Sequence, residues 1–112
     1  MRLETRKLLL DMLEAVASIE EFTKGRAFAD LARDKLLRSG ISYQFVISGE
    51  AISQLRRLDQ TIFDGISESA RIVGFRNQII HGYGFVNDNV TWQVIQDKLP
   101  VPKRELVELL AR

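Results

Sequence analysis

The stretch that decides the fold is LETRKLLLDMLEAVASIEEFT, Leu3 to Thr23. Its apolar residues return at every third or fourth position, which is the spacing of one face of an α-helix. These residues are Leu9, Met12, Leu13, Val16, Ile19 and Phe22. Gly25 follows as a residue suited to the end of a helix. The stretch therefore predicts a long amphipathic helix with one face in a core.

The same periodicity predicts helices along most of the chain, and no segment alternates with the period of two that a strand requires. After a short segment, Phe28–Arg33, the pattern predicts a long helix Lys35–Leu58 and then a connection Asp59–Gly65 with Ile62 and Phe63 in the core. A third long helix is capped by Ser67 and runs to about Tyr83. Two shorter helices follow: one is capped by Asp88 or Asn89 and ended by Pro100, and the last is Lys103–Ala111. The prediction is a single all-α domain over residues 1–112. Three long helices and several short ones would pack as an antiparallel bundle, with an apolar face left for a second copy.

The composition excludes several classes of function. The 112 residues are 46% hydrophobic and 28% charged, with a net charge of +1, so a broad surface for coating nucleic acid is not expected. The chain has no cysteine and a single histidine, which excludes a disulfide framework, a thiolate nucleophile and a His-rich zinc site within one chain. We predict no metal and no other cofactor. The charged N-terminal stretch is unlike a signal peptide and the apolar runs are too short to span a membrane, so we expect a cytoplasmic protein.

The segment RNQIIHGY, residues 76–83, holds that single histidine. Projected at about 100° per residue, Arg76 falls near the middle of the apolar face of its helix, beside Ile79 and Ile80. A guanidinium cannot be left dry and unpaired there. One interpretation is therefore structural: Arg76 pairs with a carboxylate of another helix, and Glu50 in the segment SGEA is the first candidate.

The other interpretation is chemical. Arginine offers a planar fork for a phosphate and histidine can transfer a proton near neutral pH. The two together suit cleavage of RNA by its own 2′-hydroxyl group, and a two-fold dimer would supply a second histidine for the second proton transfer. A ribonuclease, a module that only binds nucleotides or a partner, and a plain structural bundle all remain open on these residues alone.

The residues also resemble a known family. Arg76-Asn77, His81 and Tyr83 match the R-N-x-x-x-H-x-Y signature of HepT-like HEPN toxins, and SGEA, VGFRN and VTWQVIQDKLPVPKRELVELL are similar, in order, to further segments of that family. Two departures stand out: Gly82 replaces a common acidic residue, which would let the helix end early, and Tyr43-Gln44 replaces a common Arg-Asn pair that would affect which RNA is preferred.

The resemblance implies a homodimeric helical bundle that acts as the toxin of a type VII toxin–antitoxin pair. Its activity would be metal-independent endonucleolytic cleavage of RNA in a cleft between the two copies. Arg76 would bind the scissile phosphate, His81 would act as general acid or base, and Asn77 would position one of them. An MntA-like nucleotidyltransferase antitoxin would silence the toxin by transferring AMP to Tyr83. We regard Glu50 as a structural or orienting partner of the motif helix and not as a catalytic residue. The alternative is a HEPN module that binds nucleotides or docks a nucleotidyltransferase without cleaving RNA.

Overall fold

The computed structural model describes residues 1–82 and 87–112, and within them every regular element is helical. The α-helices are α1 (Leu3–Thr23), α2 (Phe28–Arg33), α3 (Lys35–Leu58), α4 (Gln60–Asp64), α5 (Ser69–Ile80), α6 (Asp88–Gln93) and α7 (Pro100–Leu110), with a π-helical segment Val94–Lys98 between α6 and α7. The predicted all-α class is confirmed, and the predicted bounds of α1 and α3 agree with the observed bounds to the residue. The short segment Phe28–Arg33 forms the helix α2.

Helix α1 runs antiparallel to both α3 and α7. At its start, Arg2 Nη2 donates to the carbonyl oxygen of Leu58 at the end of α3, 2.7 Å away. One turn on, Arg6 Nη2 donates to the carbonyl oxygen of Leu110 at the end of α7, at 2.9 Å. The two arginines therefore satisfy carbonyl groups that the ends of α3 and α7 leave without helical partners.

The core forms where the apolar stripes of these helices meet. The periodic residues Leu9, Met12, Val16 and Ile19 of α1 are fully buried, as the repeat predicts. Burial of each such side chain contributes about 1.5–3 kcal/mol to the free energy of unfolding. In the part of the chain that the structure describes, no helix is both long and apolar enough to cross a membrane.

The aromatic rings of Phe45 on α3 and Phe75 on α5 meet edge to face in this core. Their centroids lie 4.9 Å apart and their planes are inclined by 80°. This arrangement brings the positive edge of one ring against the negative face of the other, which is the favoured geometry for aromatic pairs. The pair joins the motif helix α5 to α3.

The predicted connection Asp59–Gly65 is wrong, because Gln60–Asp64 forms the short helix α4. The carboxylate of Asp59 accepts a hydrogen bond from the backbone N–H of Ile62 at 3.2 Å and so caps this helix. The expected packing of Ile62 and Phe63 against the core is confirmed. A single turn is too short to show a helical period in the sequence, so only the cap could have revealed it.

Ser67 does not cap the third long helix, which begins at Ser69. The backbone N–H and the hydroxyl group of Ser67 instead donate to the carboxylate of Glu105 on α7, each at 2.8 Å. Glu68 then adopts a left-handed conformation, with φ of 65°, before the helix starts. The competing acceptor is 38 residues away along the chain, and no local pattern predicts it.

The C-terminal boundaries differ from the prediction as well. Asn87, not Asp88 or Asn89, caps α6 by accepting from the backbone N–H groups of the second and third residues that follow it. The helical run through α6 and the π-helical segment ends at Lys98, just before Pro100 as predicted. The last helix begins at Pro100 itself and not at the predicted Lys103. The missing N–H of this proline is tolerated in a first turn, where that group has no helical acceptor.

Candidate functional site

The site is built where α5 crosses α3 at Gly49. A Cβ atom placed on Gly49 would lie 2.9 Å from Arg76 Cγ, closer still to Arg76 Cβ, and 3.3 Å from the carbonyl oxygen of Ile72. Only a glycine leaves room for this approach, because any side chain would overlap the stem of Arg76. The glycine of SGEA thus seats the arginine of the motif directly on the backbone of α3.

Glu50, the next residue, holds the head group of Arg76. Its Oε1 atom accepts hydrogen bonds from Arg76 Nη2 and from Arg76 Nε, the latter at 3.2 Å. The ion pair that the sequence predicted between these two residues is present. Both side chains remain partly in water, since that of Arg76 is 25% exposed and that of Glu50 is 43% exposed.

Asn77 binds the same guanidinium from the other side. Its Oδ1 atom accepts a hydrogen bond from Arg76 Nη1 at 2.9 Å. A carboxylate oxygen of α3 and an amide oxygen of α5 therefore fix the plane of the arginine head group. This is the opposite of a mobile surface arginine, whose long side chain samples many rotamers.

His81 lies directly at the end of the motif helix. Helix α5 ends at Ile80, and the backbone N–H of His81 donates to the carbonyl oxygen of Asn77 at 3.0 Å. Gly82 follows with φ of +68°, in the left-handed conformation that commonly ends a helix. The helix is therefore shorter than the prediction that carried it to about Tyr83, and the early end expected from Gly82 is confirmed. Tyr83 itself lies outside the described residues.

The apolar face of α5 is narrower than the sequence predicted. Ile72 and Phe75 are buried, but Ile80, expected beside Arg76 in the core, is 46% exposed. Tyr43 on α3 is 64% exposed. Sequence periodicity did not reveal these exposed apolar side chains, because a helical projection does not show how far the neighbouring helix extends.

A groove of about 930 Å³ runs between α1 and α3, and Glu50 forms part of its wall. Leu8, Val46 and Ile47 supply apolar lining. The charged lining is mixed, with Glu4, Asp11, Lys7 and Arg57 beside Glu50, and Lys7 Nζ pairs with Asp11 at 2.9 Å. Glu50 is therefore shared between this groove and the Arg76 site.

Two pairs of adjacent basic residues, Arg56-Arg57 and Lys103-Arg104, have different surroundings. The guanidinium of Arg56 lies over the ring of Phe63, 5.6 Å from its centroid, whereas Arg57 lines the groove. Lys103 Nζ pairs with Glu20 at 2.6 Å, and the side chain of Arg104 is exposed.

Residues 1–82 and 87–112 contain no group of three His, Cys, Asp or Glu side chains arranged to hold a metal ion.

The fold and the site together define a class of protein. It is a helical bundle with an anchored arginine and with a histidine at the end of the same helix. The sequence profile described as "Ribonuclease HepT-like" matches residues 12–109, nearly the whole chain. The chain belongs to the HepT-like ribonuclease family, as its motifs predicted.

Individual relatives agree with this family over nearly their full length. A protein of Thermococcus cleftensis, provisionally named ribonuclease HepT, is 29% identical over 97% of this chain and 98% of its own. Proteins of Methanocaldococcus jannaschii and Caldanaerobacter subterraneus, provisionally named RNases, are 24% and 26% identical, each over 96% of this chain and over 88% and 95% of their own. No solved structure matches the chain.

Proposed function

We propose that the protein is the toxin ribonuclease of a toxin–antitoxin pair and cleaves RNA at the exposed end of α5. The observation that carries the proposal is the arrangement of Arg76 and Asn77 near the end of α5 with His81 directly after its last residue, and with Arg76 fixed by Glu50. Membership of a ribonuclease family supports the substrate class. RNA is also the polymer that carries the 2′-hydroxyl group this set of residues needs.

In the proposed reaction the 2′-hydroxyl oxygen of RNA attacks the neighbouring phosphorus. The bond from phosphorus to the 5′-oxygen breaks, leaving a 2′,3′-cyclic phosphate and a 5′-hydroxyl group. Arg76 donates to the phosphate oxygens as negative charge builds up on them. His81 takes the proton of the attacking hydroxyl or gives one to the leaving oxygen. No step calls for a metal ion, so cleavage is expected to persist when divalent metals are chelated.

The test is cleavage of RNA in the presence of a chelator, after mass spectrometry has established that Tyr83 carries no AMP. His81→Ala is expected to lower the rate about 10²–10⁴-fold, the usual contribution of a general acid or base. Arg71→Ala is the matched control, since Arg71 is an exposed arginine of α5 that pairs with Glu68 and not with the motif.

The possible results separate the hypotheses. Cleavage by the unaltered chain and by Arg71→Ala, with none by His81→Ala, supports the enzyme. Equal cleavage by all three removes His81 from the chemistry. Absence of cleavage by the folded unaltered chain contradicts the proposal and favours a module that binds nucleotides or a nucleotidyltransferase without cleaving RNA.

We propose a homodimer as the active unit. Ile80, next to His81, and Tyr43 on α3 leave apolar surface in water that a second copy would cover. The second copy would also bring the second histidine, so that one could act as base while the other acts as acid. A two-fold axis close to the end of α5 would allow the second copy both to cover this apolar surface and to supply its histidine.

We further propose an MntA-like nucleotidyltransferase as the partner that silences the toxin in the cytoplasm. The Tyr83 hydroxyl oxygen would attack the α-phosphorus of ATP, releasing pyrophosphate and a proton and leaving AMP on the tyrosine. Negative charge and bulk two residues from His81 would then repel and block RNA. Incubation with the partner and ATP is expected to add one AMP to the chain and to Tyr43→Phe, but none to Tyr83→Phe. Modification of Tyr83→Phe would contradict this assignment.

A further inference from the structure

The segment Gly49-Glu50 does two things to one side chain. Gly49 allows the Cβ and Cγ atoms of Arg76 to lie against the backbone of α3, and Glu50 binds its head group from the same helix. A guanidinium carries five N–H donors, one on Nε and two on each terminal nitrogen. Glu50 takes those of Nε and one of Nη2, and Asn77 takes one of Nη1.

One N–H therefore remains on each of the two terminal nitrogens of Arg76. A phosphate can accept from two such donors at once, which is the geometry that distinguishes arginine from lysine as a phosphate ligand. With a quarter of its surface exposed, the Arg76 side chain is accessible to a ligand from solvent. Its bound edge and its remaining donors are thus set by Glu50 and Asn77 before any RNA arrives.

We propose that Glu50 is a positioning residue, which fixes Arg76 so that these two remaining donors meet the phosphate being cleaved. The inference rests on the proposed ribonuclease function and adds a residue from a second helix to the site. Glu50 has two opposing effects on the reaction. Its charge disfavours a nearby phosphate in the ground state, while its hydrogen bonds hold the guanidinium where charge develops in the transition state.

The exposure of Glu50 decides which effect is larger. At 43% exposed, its charge is strongly screened by water, so repulsion of the RNA is weak. Loss of alignment is more damaging, because displacement of a catalytic contact by about 1 Å can reduce the rate on the order of 100-fold. Removal of Glu50 is therefore expected to affect kcat and to leave KM nearly unchanged.

The experiment compares cleavage by Glu50→Ala and Glu50→Gln with the unaltered chain under chelation. Glu50→Ala is expected to lower kcat about 10–100-fold with KM changed less than about threefold. Glu50→Gln keeps an oxygen that accepts from Nε and Nη2, so it is expected to recover a large part of kcat. The control is Glu68→Gln, which removes the charge of a carboxylate paired with Arg71 on the same helix as the motif, and it should cleave normally.

A double substitution tests whether Glu50 acts through Arg76. Lysine at position 76 has no fork to align, so Arg76→Lys with Glu50→Ala is expected to be no slower than Arg76→Lys alone. The inference is overturned if folded Glu50→Ala cleaves RNA with the kcat of the unaltered chain or with a higher kcat. It is also overturned if Glu50→Ala lowers kcat further when it is combined with Arg76→Lys. If the unaltered chain does not cleave RNA at all, the proposed function itself fails.

Discussion

At the scale of single residues, the partial exposure of the Arg76–Glu50 pair determines what it contributes to stability. A fully buried pair would lose about 3–5 kcal/mol when one partner is removed. This pair is 25% and 43% exposed, so water can solvate whichever charge is left behind. Glu50→Ala is therefore expected to lower the free energy of unfolding by about 1 kcal/mol or less, measured by urea denaturation.

Glu68→Ala provides a comparison, because Glu68 pairs with Arg71 on the surface of α5 at 3.2 Å. The two substitutions should have effects of similar size. A loss above about 3 kcal/mol for Glu50→Ala alone would mean that the pair is a structural element of the core. A small loss of stability together with a large loss of kcat is the combination that a positioning role requires.

At the scale of the helices, the crossing of α3 and α5 depends on the absence of a side chain at Gly49. Alanine would favour the helix by about 1 kcal/mol, but its methyl group would overlap Arg76 Cβ and Cγ and approach the backbone of Ile72. Overpacking of this kind costs about 1–3 kcal/mol, and here the helices themselves must separate. We expect Gly49→Ala to lower the free energy of unfolding by up to about 2 kcal/mol, the cost of overpacking less the gain in helix propensity, measured by chemical denaturation.

Gly74→Ala on α5 is the matched control, because a Cβ atom at Gly74 would meet nothing within 4 Å. It should raise the free energy of unfolding by up to about 1 kcal/mol through helix propensity alone. Stabilisation by both substitutions would contradict the close approach of the two helices at Gly49.

The end of α5 is a second feature of this scale. Gly82 adopts a φ of +68°, which costs a residue with a Cβ atom about 1–2 kcal/mol. Gly82→Ala should therefore destabilise the protein by about 1 kcal/mol, whereas Gly82→Asn, which tolerates this conformation, should do so less. Thermal or urea unfolding measures the difference, and equal stability of the two variants would contradict it.

At the scale of the whole molecule, the prediction is association of two copies through the surface near the end of α5. Sedimentation is expected to show twice the 12.8 kDa mass of one chain. Ile80→Gln should weaken association and cleavage together, because Ile80 lies 46% exposed beside His81. Val107→Gln, a similar change at an exposed site on α7, should alter neither. A monomer that cleaves RNA at the full rate would contradict the dimer.

The sequence by itself determined the helical class and the bounds of α1 and α3. It did so because periodicity and terminal residues such as Gly25 act within a few positions along the chain. It also predicted Glu50 as the partner of Arg76, since a charge on an apolar face requires a counter-ion, and the structure confirms that pair. The role of Arg76, Asn77 and His81 as a catalytic set stays a prediction.

Only the tertiary structure decided the features that depend on contacts between distant segments. The carboxylate of Glu105 takes Ser67 away from the start of α5, and Ile80 stays exposed where the helical projection placed it near the core. The contact of the Arg76 side chain with the backbone at Gly49 likewise depends on how α3 and α5 pack together. A local pattern contains the propensity of each residue, but the distance between two helices is set by the packing of all their side chains together.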